Sequence, residues 1–461
     1  LHFRKARVLA ASNEAASALA SYRQAIALDP NHVEALTARA VLLSETKQTA
    51  LALQDFEKVV QLAPAQPSAH SNLGNALSDV GRVGEALVCY AKALALDPQF
   101  VDAHFNTGVV RQAQRQIEAA IAAYKTAVAI DPEHVFAQWN LGLCQLMSGD
   151  LLNGWKQYEW RWKNPQLDVY QERRMFSVPR WDGTQDLAGK TLLLYSEQGL
   201  GDTIQFCRYA DLAAQRGAKV ILEVQQPLIR LLSNLKGVHT LIERGAPVPA
   251  IDFECPLMSV PLAFQTTIDS VPALPAYLQA DSQLRGKWAT RLGNTADLRV
   301  GVVWTGRASH ANDHHRSATL NDILPLQSEG IQWVCLQNEL REDDARHIQH
   351  HPAIRYFGEA LTDMAETAAL CDLMDVVVSV DTSVAHLAAA LGKPVFLMLP
   401  FVPDWRWLLD RDDSPWYPSV QVFRQKQEGH WHPVMESIQH ALAQVRTAKR
   451  ELTAAASPET P

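Results

Sequence analysis

Pro30, Pro64, Pro98 and Pro132 follow one another at 34-residue steps, three of them within an Asp-Pro pair. Tyr22, Phe56, Tyr90, Tyr124 and Tyr158 keep the same step, as do Ala40, Gly74, Gly108 and Gly142, and Ala18, Ala52, Ala86 and Ala120. Each unit therefore holds two apolar-periodic stretches, a small residue where helices approach closely, an aromatic filler and a proline break. Such a helix pair buries its apolar face only against the next copy, so the pattern predicts a stacked all-α solenoid. It covers residues 1–165 in four to five units, the first incomplete and the last degenerate. In the last, Gly154 takes the small position, and Trp155, Trp160 and Trp162 follow.

These residues resemble the tetratricopeptide repeat. Repeats alone define a binding scaffold and leave its ligand open. A further series is more specific: Asn72, Asn106 and Asn140 recur two positions before each repeat glycine, with Ala38 breaking the series in the earlier unit. Primary amides both donate and accept, so a ladder of them suits the backbone of an extended peptide or protein segment. Satisfaction of a local carbonyl is the alternative. The repeat domain of protein O-GlcNAc transferases, which this region resembles, carries asparagines at the corresponding place.

A chain of 461 residues needs more than one core. Its net charge of −8 disfavours a nucleic-acid partner, since phosphate binding wants a basic face. No apolar run approaches the ~20 residues of a transmembrane segment. The six cysteines are scattered without a C-x-x-C pair, so neither a disulfide framework nor a zinc site is expected, and a cytoplasmic setting is.

From Pro165 the helical period fails, and Pro179, Trp181 and Gly183 mark a linker over 166–188. Strand-like and helix-like stretches then alternate: TLLLY (191–195), a helix from 202 to 215, KVILEV (219–224) and a helix near 227–235. Proline-rich residues 245–297 close this unit. RVGVVW (299–304), QWVCL (332–336), DVVVSV (375–380) and PVFLML (394–399) begin a second. The alternation predicts two Rossmann-like lobes, 189–297 and 298–447, each a parallel sheet covered by helices, with a helix near 433–447 and a frayed tail at 448–461. Ligands of such sheets lie beyond the strand carboxyl ends.

Three polar corners fall at those ends. In SEQGLGD, Gln198, Gly199 and Gly201 precede Asp202 at the expected start of a helix. The glycines admit close backbone approach; Asp202 is a base candidate or a plain N-cap worth ~1 kcal/mol. Ile204 breaks G-x-G-x-x-G, which disfavours a dinucleotide. At the second corner, Thr382 and Ser383 open a helix whose free N–H groups suit a phosphate, with His386 one turn on. Asp381 would repel phosphate and suits a sugar hydroxyl or the pinning of its loop; capping alone is the other reading for Thr382 and Ser383. The third corner carries Thr305, Gly306, Arg307, His310, His314, His315, Arg316 and Ser317. Its histidines lack metal-ligand spacing, whereas Arg316 with Ser317 fits a diphosphate. Gln337, beyond QWVCL, lies near the same nucleotide. Trp405, Trp407, Trp416 and Tyr417 either stack on a sugar or pack between the lobes.

PRWDGTQDLAGKTLLLYSEQGLGDTIQF, VGVVWTG, DTSVAHLAAALGKP and PDWRWLLDRDDSPWYP, in that order, resemble the glycosyltransferase family 9 domain found behind tetratricopeptide repeats in bacteria. That family includes heptosyltransferases. The resemblance implies a GT-B fold and inverting transfer from a nucleotide sugar to a hydroxyl, with no cofactor and no obligatory metal. It matches Asp202 to the general base, and Asp381, Thr382, Ser383 and His386 to the donor-side helix start. Heptosyltransferases place a lysine after the first strand of the second lobe; this chain has Arg307 and Arg316 instead. Bacterial proteins of this arrangement modify surface proteins such as flagellin, which implies Ser or Thr of a recruited protein as acceptor. A lipopolysaccharide or other glycan acceptor, with repeats for partner docking, is the second expectation. A non-catalytic adaptor is the third.

Overall fold

The structure, a computed structural model, describes residues 1–307 and 313–456. It divides into two compact units, Leu1–Gln145 and one from Leu146 onward.

The first unit is a tetratricopeptide-repeat solenoid of paired helices: His2–Ala11 with Ala15–Leu28, Val33–Glu45 with Thr49–Leu62, Pro67–Asp79 with Val83–Leu96, and Val101–Ala113 with Ile117–Ile130. The phased residues account for the pairing. A Cβ on Gly74 would lie 2.5 Å from Tyr90 Cε1, and one on Gly108 2.5 Å from Tyr124 Cε1, so the aromatic ring occupies the space that glycine leaves. Asp29, Asp97 and Asp131 each accept the N–H two residues on, which folds the Asp-Pro turns. A further phased set was not recognised in the sequence: His70 Nε2 lies 2.8 Å from Pro64 O, His104 Nε2 lies 3.0 Å from Pro98 O, and Gln138 Nε2 donates to Pro132 O at 2.7 Å. The Asn series is half-buried. Asn106 reaches Ser71 Oγ and Asn140 reaches the Tyr124 hydroxyl, each at 3.4 Å, while Asn72 makes no side-chain hydrogen bond within the described residues.

The helix Val135–Ser148 carries the division between units. The following helix Leu151–Tyr158 and the 3₁₀ turn Glu159–Lys163, expected as the last repeat, pack within the second unit. Trp155 Nε1 donates to Thr266 O at 3.0 Å, and Arg161 is fully buried. The expected linker contains the short helix Asp168–Gln171 and the buried Trp181 and Leu187.

The second unit is α/β with two all-parallel sheets, as in GT-B domains. The first contains β1 (Thr191–Tyr195), β2 (Lys219–Val224), β3 (Val238–Glu243) and β4 (Phe253–Pro256), in the order β3-β2-β1-β4. The second contains β5 (Leu298–Val303), β6 (Ile331–Cys335), β7 (Ile354–Tyr356), β8 (Val376–Val380), β9 (Val395–Leu399) and β10 (Val420–Arg424), in the order β10-β9-β8-β5-β6-β7. Strand order reverses between β1 and β4 and between β5 and β8. Those two switch points, at the carboxyl ends, are where open α/β sheets leave a crevice.

Two helix expectations change. The stretch 202–215 is two helices, Leu200–Phe206 and Tyr209–Gln215, broken at Cys207–Arg208. There Arg208 turns inward to donate to Gln205 O, Pro272 O, Trp416 O and the Tyr277 hydroxyl. The closing helix runs from His432 to Ala456, through residues expected as tail. Lys449 Nζ reaches Asp375 Oδ2 at 2.6 Å and Asp297 O at 2.9 Å, which anchors it. All six cysteines are buried and free.

Candidate active site

Strand β1 is followed by the buried Ser196 and Glu197, and the chain turns through Gln198 and Gly199 into the helix Leu200–Phe206. Gly199, not Asp202, holds the N-cap position. Asp202 stands three residues on, and its Oδ2 accepts the Gly199 N–H at 2.8 Å. A short ion pair joins its Oδ1 to Arg406 of the second lobe. Gln198 exchanges hydrogen bonds with the Tyr158 hydroxyl, and its carbonyl accepts from Gln225 at 2.8 Å.

The turn is braced from beneath. Arg161 Nε and Nη2 form a fork on Glu197, each bond 2.9 Å, and Met258 N donates to Glu197 Oε1 at 3.0 Å. Arg161 also reaches Glu159 Oε1 at 2.7 Å and Ser259 Oγ at 2.7 Å. Burial pushes the Glu197 carboxyl up even with Arg161 beside it.

Strand β8 ends at Val380, and Thr382 is the N-cap of the helix Ser383–Ala390. Among the described residues no side chain caps that helix start. Ser383 Oγ makes no hydrogen bond within the described residues, and Thr382 Oγ1 touches only Ser379 Oγ among them, at 3.2 Å. Asp381, Thr382 and Ser383 are half-buried. His386 differs from the expected phosphate donor, because its ring is enclosed. Its Nδ1 lies 2.9 Å from the Tyr417 hydroxyl, it stacks on Trp407, and Nε2 faces Asp381 Oδ1 at 3.7 Å. Burial, then Arg406 and Arg208, hold its pKa well below the ordinary range, so the imidazole is neutral. Burial and then Asp404 push Asp381 up to about 6.

The third corner joins the second. Arg316 Nη1 donates to Asp381 O at 2.9 Å, which bridges the ends of β5 and β8 at the switch point. A Cβ on Gly306 would collide with Arg316 Nη2, so glycine there lets the guanidinium lie across the loop. Ser317 Oγ accepts the Gly306 N–H at 3.3 Å and donates to Asp313 Oδ1 at 3.0 Å. Gln337 is buried and committed to the loop: its Oε1 accepts the Trp304 N–H at 2.9 Å, and its Nε2 donates to the Thr305 hydroxyl at 2.8 Å. It shapes the loop without facing open space. Arg307 and His314 are exposed, and His315 pairs with Glu428 at 2.8 Å. His310 lies outside the described residues.

The first and second corners abut. Gly201 packs directly on Ser383 and His386, and the helices behind them run side by side. Trp405, Trp407, Trp416 and Tyr417 are buried, with Trp405 edge-on to Trp155 at 5.2 Å, so this cluster packs the junction and offers no open sugar platform. Sequence reasoning missed Arg406, Arg161 and Glu197. The repeat phase of Tyr158 was a signal for the second of these, since the phase placed that segment in a packed unit.

Two family models agree with this two-part architecture. The tetratricopeptide repeat model matches residues 3–67, 71–133 and 110–153, and the glycosyltransferase family 9 (heptosyltransferase) model matches 326–397. The second span includes Gln337 and the Asp381–His386 corner and leaves out Asp202 and Arg316. The chain thus combines tetratricopeptide repeats with a glycosyltransferase family 9 domain. It is 26% identical over 323 residues to Protein FlbA of Caulobacter vibrioides, a match covering 64% of this chain and 53% of the relative. The chain therefore spans about half the length of that curated relative. Among solved structures, PilW, a type IV pilus biogenesis factor, is 24% identical with a TM-score of 0.34 over 37% of this chain and 79% of that one. TTC0263, a thermophilic TPR protein of Thermus thermophilus, is 21% identical with a TM-score of 0.33 over 37% of this chain and 93% of that one. Among the described residues no helix is long and apolar enough to cross a membrane, and no group of three His, Cys, Asp or Glu is placed to hold a metal ion.

Proposed function

We propose that the chain is an inverting glycosyltransferase that moves a sugar from a nucleotide-sugar donor to a hydroxyl, with Ser or Thr of a protein held by the repeats as acceptor. The observation that carries this reading is the meeting of two switch-point corners, one presenting Asp202 and the other an uncapped helix start beside Arg316. A carboxylate and a cationic, N–H-rich cradle on opposite lobes are what the two ends of such a displacement need.

The donor diphosphate lies over the Ser383 helix start, within reach of Arg316, Ser383 and the Gly306 loop. Gln337 and Ser317 hold that loop, and His386 positions the corner through Tyr417. The acceptor oxygen attacks the anomeric carbon from the Asp202 side. The bond to the leaving phosphate oxygen breaks with its electron pair, and the acceptor proton passes to Asp202. Arg316 and the helix N-terminus carry the charge that grows on the leaving group, so no metal is required for that task.

Nucleotide release from a panel of UDP-, GDP- and ADP-sugars, with and without EDTA, tests the reading. Wild type should turn over at least one donor, and Asp202→Asn should be slower by about 10²-fold or more. Equal rates would make Asp202 a capping residue only. For the acceptor, Asn72→Ala, Asn106→Ala and Asn140→Ala together should weaken peptide capture. The heptosyltransferase-type match supports a glycan acceptor as second reading; transfer to a glycan, unaffected by those three changes, would favour it.

A further inference from the structure

Among the described residues, Arg406 links the Asp202 corner to the opposite lobe by charge. Its Nη2 holds Asp202 Oδ1, its Nη1 donates to Asp404 Oδ1 at 2.8 Å, and its Nε donates to Gln205 Oε1 at 2.8 Å. The guanidinium lies 4.3 Å from the centre of the Trp405 ring, and Met258 Sδ closes another side at 3.9 Å. Only 8% of the side chain is exposed, against 21% for Asp202. All three nitrogens are therefore directed, in a fork that lysine does not reproduce.

We infer that Arg406 is the positioning residue for Asp202, so that a guanidinium from the nucleotide-side lobe sets the direction of the proton-accepting carboxylate in the other lobe. This rests on the reading of Asp202 as general base. A carboxylate offers about four lone-pair sites, and donors on both of its oxygens orient it. The Gly199 N–H donates to Oδ2 and Arg406 donates to Oδ1, which fixes the carboxylate plane. Because Asp404 and Gln205 fix Arg406 in turn, the geometry exists only while the two lobes are together. Ion pairing alone does not explain the arrangement: a buried ion pair adds little stability over well-packed apolar groups. Orientation does explain it, since misplacing a reacting group by about 1 Å costs about 10²-fold in rate.

The test uses the full chain and the donor that wild type turns over. Arg406→Gln should lower kcat by about 10²-fold, with KM for the nucleotide sugar unchanged because the diphosphate is held elsewhere. Arg406→Lys, which keeps charge and loses the fork, should fall between. The acid limb of the pH–rate profile should move to higher pH in Arg406→Gln, since a cation beside a carboxylate favours its charged form. The other charged or titratable groups around Arg406 are Asp404, Tyr158, Asp381 and His386. Asp202→Asn with Arg406→Gln should be no slower than Asp202→Asn alone, because both act on one step. Wild-type kcat and an unmoved acid limb in Arg406→Gln, or strictly additive losses in the pair, would overturn the inference while a slow Asp202→Asn left the base intact. Asp202→Asn at the wild-type rate would remove both. If Arg406→Gln fails to fold by its melting curve, Asp404→Asn, which weakens the anchor of Arg406 and also removes a charge facing Asp381, carries the same expectation for kcat.

Discussion

A Cβ built on Gly201 would lie 3.0 Å from His386 Cδ2 and 3.4 Å from the Ser383 Cα, so the helix starts of the two lobes are in direct contact at that pair. The contact leaves room for a glycine and little else. Gly201→Val should overpack the junction and cost about 1–3 kcal/mol, with Gly201→Ala costing less. Denaturant unfolding of the two variants beside wild type checks this. Equal midpoints for all three would mean that the lobes separate there without penalty.

Asp381 makes stability depend on pH. Burial and Asp404 raise its folded pKa to about 6, against about 3.9 in an unfolded chain. A raised acid holds its proton more tightly when folded, so its stabilising contribution is full below about pH 4 and is lost as pH rises through about 6. Asp381→Asn should therefore stabilise the protein near neutral pH, by roughly 3 kcal/mol at most, and change little near pH 4. His386 acts in the opposite direction: its lowered pKa gives stability above the ordinary value that is lost on acidification. Comparing wild type with Asp381→Asn at both pH values isolates the aspartate. A gain of the same size at both would assign the effect to packing.

Gly306→Ala places a methyl group where Arg316 Nη2 now lies. The guanidinium is the free end of a flexible side chain, so it moves and the fold survives. Displaced, it would lose the diphosphate contact proposed for it, a charge-assisted contact worth about 1.5–3 kcal/mol. Nucleoside diphosphate affinity should fall about tenfold or more, with the ligand-free melting temperature nearly unchanged. Calorimetric titration with UDP, GDP and ADP measures the first quantity. An unchanged affinity would remove Arg316 from the donor site.

Arg161 has no exposed side-chain surface and neutralises Glu197 and Glu159. Arg161→Met should destabilise by about 3–5 kcal/mol, because it leaves the buried Glu197 carboxylate without its cation, whereas Glu159 keeps Arg180. Adding Glu197→Gln should restore part of the loss. Urea midpoints for the single and double variants test this, and a double variant weaker than Arg161→Met would contradict it.

What could be read from residues alone follows from where the information lies. The repeats were legible because their signal is local and recurs, and Gly108 against Tyr124 is the same event as Gly74 against Tyr90. The six strands recognised as apolar runs, β1, β2, β5, β6, β8 and β9, are the interior strands of the two sheets. The four not recognised, β3, β4, β7 and β10, are the edges. An interior parallel strand is covered on both faces and reads as a continuous apolar run, whereas β3 is half-exposed, β4 ends in Pro256, β7 has three residues, and Gln421 interrupts the apolar run of β10. The corners at 199–202 and 381–386 were legible because glycine and polar residues directly followed strands. Arg406 was not: its partner Asp202 is 204 positions away, and spacing does not encode such a pair. Gln337 was placed correctly along the chain, but its role as a loop pin depends on Trp304 N–H, which only the folded geometry supplies.

The boundary inside the helix Val135–Ser148 has a practical consequence for chimeras that exchange the repeats. Tyr158 and Arg161 look like solenoid by phase yet serve as the floor of the loop before Asp202, and Trp155 is tied to Thr266 of the same unit. A chimera spliced after Lys163 would remove that floor, whereas one spliced ahead of Leu146 would exchange the repeats and leave the floor with the α/β unit.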